Sequence, residues 1–224
     1  MRVIIVRHGE PNYEKDCLTE RGIEQAKAAA KCLQEEGIRE IYSSPMGRAR
    51  QTAAETASLL GMKDVKILDF MHEVPWGKEG GSMFAEGHPW NIADEMVRQG
   101  WDLNRTDWPS HPYFIENKVT KAVRDIAPQT DAWLATLGYR REGLYYRCER
   151  ETDEQYTVAL FCHGGSSTAM LAQILNLPFP YLCATLHLYF TGIATLRFDR
   201  NPGSICIPSM ELMGDDKHVW EKNK

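Results

Sequence analysis

Four β-branched apolar residues, Val3-Ile4-Ile5-Val6, stand together near the start of the chain and predict a short buried strand over residues 2–6. A polar loop, residues 9–18, comes next. Thr19 can then cap a helix whose inner side carries Ile23, Ala26, Ala30 and Leu33, with Gly37 as its stop. Residues 38–42 read as a second strand. Ser43-Ser44-Pro45 reads as a cap with proline in the first turn of a helix that runs to about Leu60 and ends at Gly61. Residues 65–68 make a third strand. Beyond Met71 the pattern loosens. Residues 73–115 are rich in Trp, Gly, Pro and His, with one short helical stretch over 91–98. A longer helical stretch over 117–137 should break or kink at Pro128. Regularity returns with an apolar strand over 157–162, a tight turn at Gly164-Gly165, a helix over 166–175, and two closing strands over 193–198 and 204–207.

This order is βαβαβ, an irregular insertion, then βαββ. Alternating strands and helices imply a three-layer α/β/α fold with a mostly parallel open sheet covered on both faces. The insertion, about 73–150, is too long for a loop and is expected to form a cap beside a pocket, within a single domain spanning 1–224. The chain has 224 residues, 43% hydrophobic and 25% charged, which suits one large globular domain. With 26 Lys and Arg against 31 Asp and Glu, the formal net charge is -5, so neither a nucleic acid nor an anionic membrane is an expected partner. An anion must then be caught locally, by a few placed cations. Cys17, Cys32, Cys148, Cys162, Cys183 and Cys206 are scattered, without CxxC or finger spacing, and read as reduced thiols. No basic segment with a long apolar run opens the sequence and no window approaches a membrane span, so a cytoplasmic location is expected.

Candidate chemistry gathers where those strands end. Arg7 and His8 follow the first strand directly. Arg48 falls in the opening turns of the helix after the second, Glu73 follows the third, and His163 follows the strand over 157–162. In a parallel sheet these carboxyl ends share one edge, where open α/β folds bind ligands. Two arginines, two histidines and one glutamate there make a phosphate-sized cationic cup with one acid, and helix amino termini near Pro45 and Ser166 would add N–H donors. An imidazole beside a guanidinium can attack phosphorus while the arginine holds the phosphoryl oxygens. Nearby positive charge should keep that imidazole neutral. Plainer readings exist: a surface Arg-His turn, a packed histidine at a strand end for His163, and a loop carboxylate for Glu73. Trp76, Trp90, Trp101, Trp108 and Trp133 read first as a small core for the insertion, and second as an aromatic wall for an apolar leaving group. His72, His88, His111, His187 and His218 lack metal-ligand spacing, so no metal is expected.

Several of these segments also carry a resemblance. Arg7-His8-Gly9-Glu10, Leu18-Thr19-Glu20-Arg21-Gly22, the run from Ser43 to Ala53 and Cys162-His163-Gly164-Gly165 resemble the histidine phosphatase superfamily, also called phosphoglycerate mutase-like. The resemblance implies His8 as the phospho-accepting nucleophile, a glutamate near Glu73 as proton donor, and Arg7, Arg48 and His163 around the phosphoryl group. Gly164 joins the substrate-binding set, and Asn12 stands where the family's asparagine contact would otherwise be missing. Many relatives carry Trp-Glu-Gly a little beyond the acid; here Lys78-Glu79-Gly80 makes Glu79 the other candidate donor. The implied activity is that of a metal-independent phosphatase of the histidine acid phosphatase type, without organic cofactor, acting on phosphate monoesters of small molecules through phosphohistidine. The alternatives are a 2,3-bisphosphoglycerate-dependent phosphoglycerate mutase and a non-catalytic phospho-ligand binding module. A serine hydrolase would need Gly-x-Ser-x-Gly at a strand-to-helix elbow, which this chain lacks. Oligomeric state is left open.

Overall fold

The computed structural model describes residues 1–220. In chain order its strands are β1 (Arg2–Arg7), β2 (Pro11–Asn12), β3 (Cys17–Leu18), β4 (Ile38–Ser43), β5 (Val65–Ile67), β6 (Tyr139–Glu142), β7 (Tyr145–Cys148), β8 (Thr157–Cys162), β9 (Ile193–Arg197), β10 (Ile205–Cys206) and β11 (Ser209–Asp215). The helices are α1 (Glu20–Leu33), α2 (Gly47–Leu59), α3 (Pro89–Arg98), α4 (Lys118–Thr136), α5 (Gly164–Leu175), α6 (Phe179–Thr185) and α7 (Lys217–Trp220). Six strands form the main sheet in the order β11-β9-β1-β8-β4-β5. β1, β8, β4 and β5 run parallel, while β9 is antiparallel to both β1 and β11. The α/β architecture anticipated from the alternation of elements is therefore the one observed.

Strand alternation sorts the two faces. Ile4 and Val6 of β1, with Ala159 and Phe161 of β8, pack with Leu33 of α1 and Ala53 and Ala57 of α2. Val3 and Ile5, with Val158 and Leu160, pack with Ile126 and Trp133 of α4 and Ala169 and Met170 of α5. Every β8 residue is buried, as a central parallel strand between two helical layers must be. The chain leaves β1 toward α1 and leaves β8 toward α5, on opposite faces. Their shared carboxyl edge is thus a place where the connections diverge and a crevice opens.

Several elements differ from expectation. α2 begins at Gly47, with Met46 as N-cap, so Pro45 lies outside the helix and Ser44 is not its cap. α4 runs unbroken through Pro128, because buried Ile126 on one side of it and Trp133 and Leu134 on the other fix the helix against the core. That packing outweighs a proline cost of about 3 kcal/mol. α4 also lies beside α5, in the layer that covers the sheet, whereas Trp76, His88 and Trp90 of the insertion share a cavity with Arg7 and Glu73 at the carboxyl edge. Ile23 is exposed although Ala26, Ala30 and Leu33 are buried. The two closing strands fare differently. β9 is in the main sheet, but β10 pairs with β7 in a separate three-stranded sheet. The sixth main strand is β11, which the pattern did not reveal. It is mostly exposed and bulged between Met210 and Leu212 and between Leu212 and Asp215, so no period of two marks it. Among the described residues no helix is long and apolar enough to cross a membrane.

Candidate active site

His8 sits one residue past β1 and keeps that strand's pairing, its amide donating to the Cys162 carbonyl of β8 at 2.9 Å. The next residue must be glycine on packing grounds: a Cβ on Gly9 would lie 2.5 Å from the carbonyl oxygen of Gly22. This close approach seats the loop after β1 on the first turn of α1 and fixes where the imidazole points. The His8 side chain is buried, with Nδ1 2.7 Å from the Gly9 carbonyl and Nε2 3.3 Å from Nε of Arg48. Nδ1 therefore carries the proton, and Nε2 offers its lone pair to the guanidinium.

Arg48, in the first turn of α2, is held by a residue that the sequence did not flag. Asp16 Oδ1 accepts from Arg48 Nη1 at 2.6 Å, and Asp16 Oδ2 accepts from the Gly47 amide at 2.6 Å. Asp16 has φ 46, a left-handed conformation that aspartate tolerates better than most residues. Only its place in the polar loop hinted at it. His163, the N-cap of α5, is fully buried. Its Nε2 is 2.7 Å from Ser44 Oγ, and its ring centroid lies 5.1 Å from that of His8. Arg7 donates from Nη1 to the Leu188 carbonyl at 2.7 Å and lies over the Phe190 ring at 4.6 Å. Two nitrogens of this cluster, Arg7 Nε and His163 Nδ1, are buried without a hydrogen-bond partner.

Glu73 reaches the same place from beyond β5. Its Oε1 accepts from the amides of Val74 at 3.0 Å, Gly165 at 3.0 Å and Ser166 at 3.2 Å, so the carboxyl occupies the amino terminus of α5. A Cβ on Gly165 would lie 2.6 Å from that oxygen and 2.2 Å from Val74 Cγ2, and only glycine admits both. Arg7, His8, Arg48, Glu73, His163 and Gly164 thus converge. Glu79 and Asn12 do not. Glu79 is exposed in a turn closed by a bridge between Lys78 and Gly81. Asn12 lies in the β2–β3 hairpin, where its side chain accepts from the Lys15 amide at 3.1 Å. Thr19 caps α1, accepting from the Gly22 amide.

Burial dominates the electrostatics. It lowers the pKa of His8 to about 3, with Arg7 and Arg48 adding to the effect and the bond to Gly9 opposing it. The neutral imidazole expected from neighbouring charge is therefore due first to desolvation. Burial likewise takes His163 to about 2, helped by His8, Arg48 and Arg7. The Glu73 carboxyl is pushed upward by burial, against the pull of the Val74, Ser166 and Gly165 amides and of Arg7.

A cavity of about 580 Å³ opens beside the cluster; Arg7, Glu73 and Gly164 line it together with the contacting rings of Trp76, His88 and Trp90. The tryptophans divide between the two roles considered for them. Trp108 and Trp133 are buried in the core, whereas Trp76 and Trp90 line the cavity. Among the described residues no group of three or more His, Cys, Asp or Glu side chains is placed to hold a metal ion.

Residues 3–205 match the family model described as histidine phosphatase superfamily (branch 1). The chain belongs to the histidine phosphatase superfamily. Relatives within this superfamily carry two kinds of name. A 2,3-bisphosphoglycerate-dependent phosphoglycerate mutase of Bartonella tribocorum is 25% identical over 189 residues, covering 78% of this chain and 82% of that protein. Phosphoserine phosphatase 1 of Hydrogenobacter thermophilus is 29% identical over 125 residues, covering 52% and 54%. Among solved structures, the phosphoserine phosphatase of Entamoeba histolytica in complex with 3-phosphoglyceric acid superposes with a TM-score of 0.63, at 23% identity over 97% of this chain and 98% of that one. That likeness establishes the mutase-like fold.

Proposed function

We propose that this superfamily member is a phosphatase that hydrolyses phosphate monoesters through a phosphohistidine on His8. The observation that carries this reading is the state of the His8 ring: Nδ1 bound to the Gly9 carbonyl, Nε2 turned to the Arg48 guanidinium. An incoming phosphoryl group takes the Nε donor of Arg48 from His8 and places phosphorus before the freed lone pair. Arg7 Nε and His163 Nδ1, both buried without partners, are the further donors for the equatorial oxygens. In the first step the Nε2–P bond forms, the P–O bond to the leaving alcohol breaks, and Glu73 gives that oxygen its proton. In the second, Glu73 takes a proton from water as its oxygen attacks phosphorus, which releases inorganic phosphate and restores Nε2. The buried carboxyl, with its raised pKa, suits the donor role, and the entering phosphate dianion raises it further.

The test is rapid mixing with a ³²P-labelled ester and quenching into alkaline denaturant, in which phosphohistidine survives. The native protein should retain label and His8→Ala should not, with turnover abolished. Undiminished hydrolysis by His8→Ala removes the scheme. Isomerisation of 3-phosphoglycerate, outpacing release of phosphate, would replace it with the mutase reading that several relatives' names support.

A further inference from the structure

The space beyond the phosphoryl cup has a chemistry of its own. With its Arg7, Glu73 and Gly164 end included, the cavity is about 580 Å³, a size that takes drug-sized ligands and more than a phosphoryl group on a three-carbon acid requires. Trp76, Trp90, Leu186 and Leu188 give it apolar walls, and Tyr13 and Tyr189 also line it. Trp76, Tyr13 and Tyr189 are exposed there, at 39%, 65% and 61%, so their rings meet solvent until something covers them. His88 stands between the tryptophans, 5.0 Å from the Trp76 ring and 5.2 Å from Trp90, and burial lowers its pKa. Aromatic surface of this kind is where a ring-bearing ligand gains the most from leaving water.

Charge decides which ring-bearing ligands fit. Among the described residues Arg7 is the only arginine or lysine along this cavity, and the phosphoryl group engages it. The other guanidinium of the cluster, Arg48, is already paired with Asp16 at 2.6 Å. The acidic group on the lining is Glu73, and the remaining titratable side chains on it are two tyrosines, His88 and the exposed His187. A leaving group carrying a carboxylate, such as that of phosphoglycerate or phosphoserine, would give up water here for apolar walls and a carboxyl neighbour, with no second cation among the described lining residues to receive it.

We infer that the substrate is a phosphate monoester of an uncharged, ring-bearing alcohol, whose ring enters the cavity between Trp76, Trp90 and Tyr189. This rests on the phosphatase reading of His8. The experiment compares three primary alkyl phosphates of similar leaving-group chemistry: 3-phenylpropyl phosphate, glycerol 1-phosphate and 3-phosphoglycerate. The kcat/KM for the phenylpropyl ester should exceed that for each of the others by at least about tenfold, since burial of a ring is worth one to two orders of magnitude. Trp76→Ala, at a half-exposed position, should reduce that ratio by about tenfold, and Trp90→Leu should reduce it as well. Equal hydrolysis of all three esters, or preference for 3-phosphoglycerate, overturns the inference and leaves the phosphatase reading standing. Failure to hydrolyse any of them, with no label on His8, overturns the phosphatase reading and this inference with it.

Discussion

Asp16 shows how much of the site depends on a side chain with no place in the proposed chemistry. Its two oxygens bind Arg48 Nη1 and the Gly47 amide, so one carboxylate fixes both the guanidinium and the start of its helix. Burial opposes its charge, but those partners outweigh it and hold its pKa below the usual carboxylate range. Asp16→Ala should leave Arg48 charged but loosely aimed. We expect kcat to fall about 10–100-fold with a smaller change in KM, the signature of lost positioning rather than lost charge; a change confined to KM would contradict it. Glu73→Gln keeps an oxygen for the α5 amides and removes the proton. It should cost alkyl phosphates about 10²–10⁴ in rate, and phenolic esters, whose leaving groups need less help, considerably less. Equal losses for both ester types would remove Glu73 from the donor role. At this scale the sequence was most legible where a residue abuts a strand end. Arg7, His8 and His163 can be placed from strand boundaries alone. Asp16 could not be, because it reaches Arg48 from a polar loop without periodicity, and Ser44 looked like a helix cap while its hydroxyl faces His163.

The amino terminus of α5 is the element on which the site turns. Its first residues bring together His163, Gly164 beside Arg7, and the amides of Gly165 and Ser166 that receive Glu73. Gly165→Ala puts a methyl group where Val74 and the Glu73 carboxyl now lie. The carboxyl must then withdraw, while His8 and Arg48, on other elements, stay in place. The expected result is a selective loss of activity on alkyl phosphates, with phenolic esters less affected and phosphohistidine still formed from them. Loss of labelling with a phenolic ester would mean that the substitution had disturbed more than the acid. The elements of the sheet were readable because buried parallel strands are short apolar runs between turns. The departures share a cause: α4 holds its proline through tertiary packing, and the exposed, bulged β11 gets its place from β9 rather than from its own pattern.

For the whole molecule, the buried histidines tie stability to pH. His8 and His163 titrate near 3 and 2 in the folded chain and near 6.5 when unfolded. Between these values the unfolded state binds the more protons, so stability falls as pH falls below about 6.5. Each histidine contributes roughly 1 kcal/mol per pH unit in that window. His88 and His111, also lowered by burial, act in the same sense. Glu73 acts in the opposite sense. Its folded pKa is raised, so the protonated carboxyl favours the folded state at low pH and that gain is lost as pH rises through its folded value. One carboxyl exchanges at most one proton, and at least two histidines outnumber it. The denaturant midpoint should therefore drop steadily from pH 7 to pH 5. His163→Asn, compared with the native chain over the same range, should show a shallower slope by about one proton, even if its midpoint is lower throughout. A midpoint independent of pH across that interval would show that these imidazoles are not buried in their neutral form, and the proposed nucleophile would lose the environment that keeps its lone pair free.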